Sequence, residues 1–132
     1  MIILDTGAVK ALAGGHKTLN LLAGNMARTP GDRLRVPALC LMQAEADEEN
    51  LARGVLAFSS VVVDDLDTVS AASVGAMVRD GYGGPDTCHA LYCALPRPEF
   101  TGMSILLTGD EDAYPPGVVT VGIDSPGMLG FC

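Results

Sequence analysis

Two hydrophobic patterns alternate along the chain and predict its secondary structure. Short runs that are almost wholly apolar predict strands, at residues 2–5, 33–39, 59–65, 103–110 and 117–123. Longer segments with apolar residues three or four positions apart predict helices, at residues 6–13, 16–28, 41–57, 66–81 and 86–95. Pro96 and Pro98 are expected to stop the last of these helices, because proline cannot continue one.

The order of these elements predicts the fold class. Strands and helices alternate, and the strands lack a strict apolar–polar alternation, as is typical of parallel strands buried on both faces. We therefore expect an α/β protein, a three-layer α/β/α sandwich with a mostly parallel central sheet of about five strands. The length of 132 residues suits a single domain. We assign that domain to residues 1–124 and expect the Gly- and Pro-rich residues 125–132 to form an irregular tail.

The charge distribution limits the kinds of partner that the chain attracts. Residues 1–40 carry five basic and two acidic side chains, a local charge of +3, whereas residues 41–132 carry three basic and fourteen acidic ones, a local charge of −11. An acidic body does not attract nucleic acid over long distances. A group of acidic side chains that binds a divalent cation, or a basic protein partner, fits this distribution better.

Several classes of protein are disfavoured by what the sequence lacks. No apolar run approaches the ~20 residues that a membrane span requires, and the first residues contain no basic cluster of a secretory signal. The four cysteines have no zinc-ligand spacing and are expected to be structural thiols in a reducing, cytoplasmic setting. No glycine-rich segment matches a phosphate-binding loop, so we expect no nucleotide cofactor.

The segment ILDTGA at residues 3–8 allows two interpretations of Asp5. An Asp-Thr-Gly sequence occurs in the catalytic loop of aspartic proteases, but it also places a carboxylate at the end of a buried strand. An aspartic protease needs two such carboxylates that share a proton, and its halves are antiparallel β structures. This chain has no second Asp-Thr-Gly or Asp-Ser-Gly, and a helix is predicted to follow Asp5. The strand-end interpretation is therefore favoured.

Acidic residues recur where the predicted strands end. Asp5 ends the first strand, Asp110 ends the fourth, Asp112 follows shortly after, and Asp86 opens a helix. Sites in open α/β sheets form beyond the carboxyl ends of the strands, and clustered carboxylates with open positions suit Mg²⁺ or Mn²⁺. The implied chemistry is metal-assisted hydrolysis of a phosphodiester. The alternative is that Asp86 and Asp110 only cap helix N-termini.

Four segments in order resemble the motifs of PIN-domain proteins, most closely those of the toxin ribonucleases of bacterial toxin–antitoxin pairs. The segments are IILDTGAVKAL (2–12), RVPALCLMQAE (35–45), DTCHALYCAL (86–95) and ILLTGDEDAY (105–114). The resemblance implies that residues 1–124 are a PIN-like domain with a divalent-metal-dependent ribonuclease activity on RNA. It also implies an antitoxin protein as partner and allows a homodimer.

The resemblance assigns roles to individual side chains. Asp5, Asp86 and Asp110 would be catalytic and would hold the metal, with Asp112 as a further ligand and with Thr6 and Thr108 as supporting hydroxyls. In the second motif the family places an acid about three residues past the N-cap of the helix. If the helix begins near Cys40, this position is Gln43, and either Glu45 points inward instead or the metal has one carboxylate fewer. A degenerate PIN-like domain that binds protein or RNA without cleaving it is the alternative.

The remaining candidate site residues are supported by less specific patterns. His89 follows Cys88, but adjacent helical residues do not face each other, so this is not a Cys–His nucleophilic pair. His89 either orients Asp86 or contacts RNA from one turn away, or it is structural. Candidate phosphate contacts are Lys10, Arg33 and Arg35.

Overall fold

The computed structural model describes residues 1–96 and 102–131. In these residues the strands are β1 (Ile2–Leu4), β2 (Leu34–Pro37), β3 (Val61–Asp64), β4 (Ile105–Thr108) and β5 (Thr120–Gly122). The α-helices are α1 (Thr6–Ala13), α2 (Lys17–Ala27), α3 (Ala38–Asp47), α4 (Leu51–Leu56), α5 (Thr68–Arg79) and α6 (Pro85–Ala94). Two 3₁₀ helices follow, at Glu111–Ala113 and Pro126–Phe131.

The central sheet confirms the predicted fold class. Its strands pair in the order β3–β2–β1–β4–β5, and every pairing is parallel. Strand β1 lies in the middle, with Ile3 opposite Arg35 of β2 on one side and Leu106 of β4 on the other. The residue that follows β1 is Asp5, which therefore lies at the carboxyl edge of the central strand.

Two apolar clusters lie on opposite faces of the sheet and account for its layers. Successive side chains of a strand point to opposite faces. Leu4 belongs to a large cluster with residues of α1 and α2, whereas its neighbour Ile3 belongs to a second cluster that includes Cys40 of α3 and Ala90 of α6. Helices therefore cover both faces, as expected for an α/β/α sandwich.

The prediction of one helix over residues 41–57 is wrong. Helix α3 begins at Ala38 and ends at Asp47, and α4 runs from Leu51 to Leu56. The extended backbone of Glu48 ends α3, and Asn50, the N-cap of α4, has a left-handed backbone with φ 66°. The Glu45 carboxylate accepts the N–H groups of Asn50 and Ala52 at 2.9 and 3.0 Å and so satisfies the open N-terminus of α4.

The break at Asn50 leads to a stability prediction. We expect Asn50→Ala to lower the free energy of unfolding by about 1 kcal/mol, since alanine tolerates a left-handed backbone poorly. The neighbouring Glu49, which is also exposed and has no positive φ, is the control, and Glu49→Ala is expected to change stability by less than ~0.5 kcal/mol. Urea unfolding followed by circular dichroism measures both, and equal effects would contradict the prediction.

The prediction of an irregular C-terminal tail at residues 125–132 is also wrong as far as the structure describes it, to residue 131. Residues Pro126–Phe131 form a 3₁₀ helix, and Met128 is 1% exposed within the large apolar cluster. Phe131 packs against the same cluster. The segment folds back onto the domain and so buries these apolar side chains. Its Gly- and Pro-rich composition gave no sign of this packing.

Other boundaries shift only slightly. Strand β4 ends at Thr108, two residues before Asp110, so Asp110 lies in the loop beyond the strand rather than at its end. Cys40, Cys88 and Cys93 are buried and reduced, in keeping with the structural role expected for them. The expectations for Pro98 and Cys132 concern residues outside those described. Across residues 1–96 and 102–131, the helices are too short or too polar to span a membrane.

Candidate active site

A cleft of about 360 Å³ opens at the carboxyl edge of the sheet. Three carboxylates line it, from Asp5 after β1, Asp86 in the first turn of α6 and Asp110 after β4, together with Thr6 and Tyr114. Among the described residues, no lysine, arginine or histidine lines this cleft. The fold thus brings together the three acids that the sequence singled out, without a cationic side chain between them.

Asp5 is held by donors from three parts of the chain. As the N-cap of α1 it accepts the Ala8 N–H at Oδ1, 3.0 Å away. Its Oδ2 accepts the hydroxyl of Thr108 at 2.5 Å and the hydroxyl of Tyr114 at 2.8 Å. Asp5 is only 8% exposed. These hydrogen bonds fix the carboxylate in one orientation and compensate its burial.

Asp86 is oriented by a threonine of helix α1. The Thr6 hydroxyl donates to Asp86 Oδ2 at 2.6 Å. The N-cap of α6 is Gly84, so Asp86 is not the N-cap that the alternative interpretation required. Its position in the first turn still places its negative charge near the positive end of the helix dipole.

Asp110 caps a helix and lines the cleft at the same time. Its Oδ1 accepts the Asp112 N–H at 3.1 Å, which makes it the N-cap of the 3₁₀ helix Glu111–Ala113. The Asp110 N–H in turn donates to Thr108 Oγ1 at 2.9 Å. Asp112 itself is exposed and lines a neighbouring depression beside β5 rather than the cleft of Asp5 and Asp86.

Cys40 was not among the predicted site residues, yet it lies beside the acids. Because α3 begins at Ala38 with Pro37 as N-cap, Cys40 is its third residue. Its Sγ donates to the Asp86 carbonyl oxygen at 3.2 Å. Burial raises the pKa of this thiol strongly, the hydroxyl of Thr6 opposes that shift, and the charges of Asp5 and Asp86 add to it. A neutral thiol therefore stands in the first helical turn, where the second motif was expected to supply an acid.

Because α3 begins at Ala38, Gln43 and Glu45 do not occupy the position at which the second motif was expected to supply an acid. The Gln43 amide donates to Asp47 Oδ1 at 2.9 Å, away from the cleft. Hydrogen bonds from Gln43 and then from Lys10 lower the pKa of Asp47. Glu45 is occupied at the N-terminus of α4, as described above. Neither Gln43 nor Glu45 lines the cleft, because both lie beyond the first turn of α3.

The three candidate phosphate contacts are not brought together. Lys10 pairs with Asp47 at 3.3 Å, and Arg33 donates to the carbonyl of Asp32. Arg35 forms a half-buried bidentate pair with Asp64, with a shortest distance of 2.6 Å. This hydrogen-bonded pair raises the pKa of Arg35 despite partial desolvation. None of the three lines the cleft.

His89 is placed as a structural residue. It is 1% exposed, and its Nδ1 accepts the Leu39 N–H at 3.2 Å, which satisfies a first-turn donor of α3. Burial lowers the pKa of His89, and the charges of Asp64 and Asp67 oppose that shift. The ring lines a separate hollow beside β3 and α5, and so does not face the carboxylate cleft.

Tyr114 is the second site residue that sequence reasoning missed. It follows the 3₁₀ helix Glu111–Ala113, and its ring packs against the cluster that contains Ile3 and Leu106. Burial and then the charge of Asp5 raise the pKa of Tyr114, so its hydroxyl is a proton donor to Asp5 at neutral pH. The only sequence signal was an aromatic residue directly after the acidic segment GDEDA.

The side chains of the cleft have the chemistry that a hard divalent cation prefers, but their present arrangement is not that of a metal site. Its lining includes three carboxylates and the hydroxyls of Thr6, Thr87 and Tyr114, and Mg²⁺ and Mn²⁺ prefer such oxygen ligands. Within the described part of the chain, however, no three His, Cys, Asp or Glu side chains stand in an arrangement that could hold a metal ion. Binding would therefore require the carboxylates to turn from their present hydrogen bonds.

Comparison with known proteins supports the fold. No protein-family model matches the chain, and no curated protein matches it. Among solved structures, it is similar to a chain of the crystal structure of DNA-bound VapBC from Salmonella typhimurium, with a TM-score of 0.58. The likeness covers 92% of this chain and 97% of that chain at 20% sequence identity. The chain has a PIN-like fold, as the four motifs predicted.

Proposed function

We propose that the chain is a PIN-type ribonuclease that hydrolyses RNA phosphodiester bonds with Mg²⁺ or Mn²⁺. The observation that carries this proposal is the convergence of Asp5, Asp86 and Asp110 in one cleft without a cationic side chain among its described lining. Carboxylates that share a cleft repel one another unless they are protonated or bridged by a cation. A divalent ion relieves that repulsion and attracts an anionic phosphate at the same time.

The side chains of the cleft supply positioning for this chemistry. Asp5, Asp86 and Asp110 would hold the ion, which when bound stabilises charge on the phosphate and lowers the pKa of a water molecule. Thr108 links two of these acids, because its hydroxyl donates to Asp5 while its oxygen accepts the Asp110 N–H. Thr6 fixes Asp86. The two threonines thereby restrict how the ligand carboxylates can turn, as hydrogen bonds to metal ligands commonly do.

We further propose that the chain is the toxin of a toxin–antitoxin pair and acts in the cytoplasm. The support is the likeness to a chain of the VapBC complex and the acidic charge of residues 41–132, which suits a basic partner protein. A homodimer is part of the same proposal. A complex of this kind would keep the cleft from RNA until the partner is removed.

A non-catalytic binding module is the second candidate. Two observations favour it: a neutral Cys40 stands in the first turn of α3, and three donors already occupy the Asp5 carboxylate. Both reduce the charge or the free oxygen atoms available to a cation. Such a module would bind protein or RNA without a metal.

Metal removal separates the two candidates. We expect the purified chain to cleave single-stranded RNA with Mn²⁺, to lose that activity when a chelator is present in excess, and to regain it when Mn²⁺ is added back. Gel analysis of labelled RNA measures cleavage, and calorimetry measures Mn²⁺ binding. Cleavage that persists in chelator would contradict the metal-dependent mechanism. A chain that neither binds Mn²⁺ nor cleaves RNA would favour the binding module.

A further inference from the structure

We propose that the Tyr114 hydroxyl competes with the metal ion for Oδ2 of Asp5, where it occupies one of the two acceptor positions of that oxygen. This inference rests on the proposed metal site and concerns its regulation. It makes Tyr114 a positioning residue of the cleft, one that stabilises the metal-free state. The consequence is a site whose affinity for divalent cations is lower than its three carboxylates alone would give.

The first step is the number of positions left on Asp5. An ionised carboxylate offers about four acceptor sites. Three are taken, by the Ala8 N–H at 3.0 Å, the Thr108 hydroxyl at 2.5 Å and the Tyr114 hydroxyl at 2.8 Å. With Asp5 only 8% exposed, an incoming cation reaches this carboxylate only by displacing a donor or by using the remaining site.

The second step identifies which donor can leave. The Ala8 N–H belongs to the backbone of α1, and Thr108 is a fully buried residue of strand β4. Tyr114 instead follows a 3₁₀ helix of three residues, is partly exposed, and lines the cleft. Rotation of the Tyr114 side chain releases its position on the oxygen. Release of the Ala8 N–H would require the backbone of α1 to move, and the Thr108 side chain is fully buried and also accepts the Asp110 N–H.

The third step is the exchange itself. A neutral phenol and a divalent cation both stabilise the charge on Asp5, so the two bind this oxygen in competition. The ring of Tyr114 is held by packing against the apolar cluster that contains Ile3 and Leu106. Its hydroxyl therefore lies close to Asp5 and competes at a high effective concentration. Removing the hydroxyl while keeping the ring should then favour the cation.

A single-atom change tests this competition. We expect Tyr114→Phe to bind Mn²⁺ about tenfold more tightly than the wild type, equivalent to ~1.4 kcal/mol. Tyr82 is the matched control, because it lies just beyond α5, is 49% exposed, and is not among the residues that line the cleft. Tyr82→Phe should bind Mn²⁺ as the wild type does. Isothermal titration calorimetry measures all three chains, and thermal melts confirm that each is folded.

Tyrosine emission gives a second readout, which the wild type already provides and which the two variants check. The chain has no tryptophan and three tyrosines, so its emission reports on tyrosine alone. A phenol that donates to a carboxylate loses its excited-state proton to it and emits weakly. We expect emission to rise as diamagnetic Mg²⁺ saturates the wild type and Tyr82→Phe, and to stay constant in Tyr114→Phe.

The outcomes separate this inference from the proposed function. Mn²⁺ binding of equal or lower affinity in Tyr114→Phe, or a wild-type emission that Mg²⁺ leaves unchanged while it binds, would overturn the competition and leave the metal site standing. Absence of metal binding in every chain would overturn the metal site and the inference together. Tighter binding in Tyr114→Phe with a Mg²⁺-dependent rise in wild-type emission would support both.

Discussion

Replacing Asp86 with asparagine should reduce RNA cleavage at least ~100-fold without unfolding the chain. Asparagine keeps the shape of the side chain and an oxygen that can accept the Thr6 hydroxyl, which now donates to Asp86 Oδ2 at 2.6 Å. It removes one negative charge from the cleft and so weakens any bound divalent cation. Asp86 is a sharper choice than Asp5, because Asp5 also caps α1 and accepts two hydroxyls.

Asp112→Asn is the matched control for Asp86→Asn. Asp112 is a nearby exposed acid whose side chain lines a different depression, so its replacement changes the net charge equally but should alter cleavage by less than about twofold. Cleavage rates at saturating Mn²⁺ and Mn²⁺ affinities are measured for both variants. Full activity in Asp86→Asn would remove Asp86 from the site. Equal losses in both variants would indicate a general effect of charge.

Much of the architecture was predictable because local signals agree with the fold. Helix α1 was expected at residues 6–13 and occupies Thr6–Ala13, since Asp5 caps its start and Gly14–Gly15 end it. The apolar runs of the strands required a sheet buried on both faces, and parallel order followed from the helices between them. The same logic placed Asp5 at the carboxyl edge of the sheet.

The start of α3 was not predictable, because distant residues determine it. Pro37 precedes the helix and provides no side-chain cap. The first-turn N–H of Leu39 is instead accepted by His89, fifty residues further along the chain, and the Cys40 thiol donates to the Asp86 carbonyl. With the start moved to Ala38, the expected position of the second acid shifts from Gln43 to Cys40. Counting residues from a presumed cap could not reveal this.

The Tyr114 contact was hidden for the same reason. Its hydroxyl meets Asp5 across 109 positions of sequence, and no local pattern distinguishes a tyrosine that reaches a carboxylate from one that only packs. The acids were predictable, since Asp5 and Asp110 follow apolar strands and Asp86 lies at the start of a helix. The neutral groups beside the acids, the Tyr114 hydroxyl and the Cys40 thiol, were not predictable, although they affect how strongly the carboxylates can bind a cation.

Met128→Ala should lower the free energy of unfolding by about 2–3 kcal/mol, because it leaves a cavity in the large apolar cluster. Met128 is 1% exposed in the C-terminal 3₁₀ helix, whereas the adjacent Leu129 is 73% exposed. Leu129→Ala removes a side chain of similar size from the same short helix and should cost less than ~0.5 kcal/mol. Urea unfolding followed by circular dichroism measures both variants. If the two cost the same, residues 126–131 do not pack as part of the domain, and the tail is irregular after all.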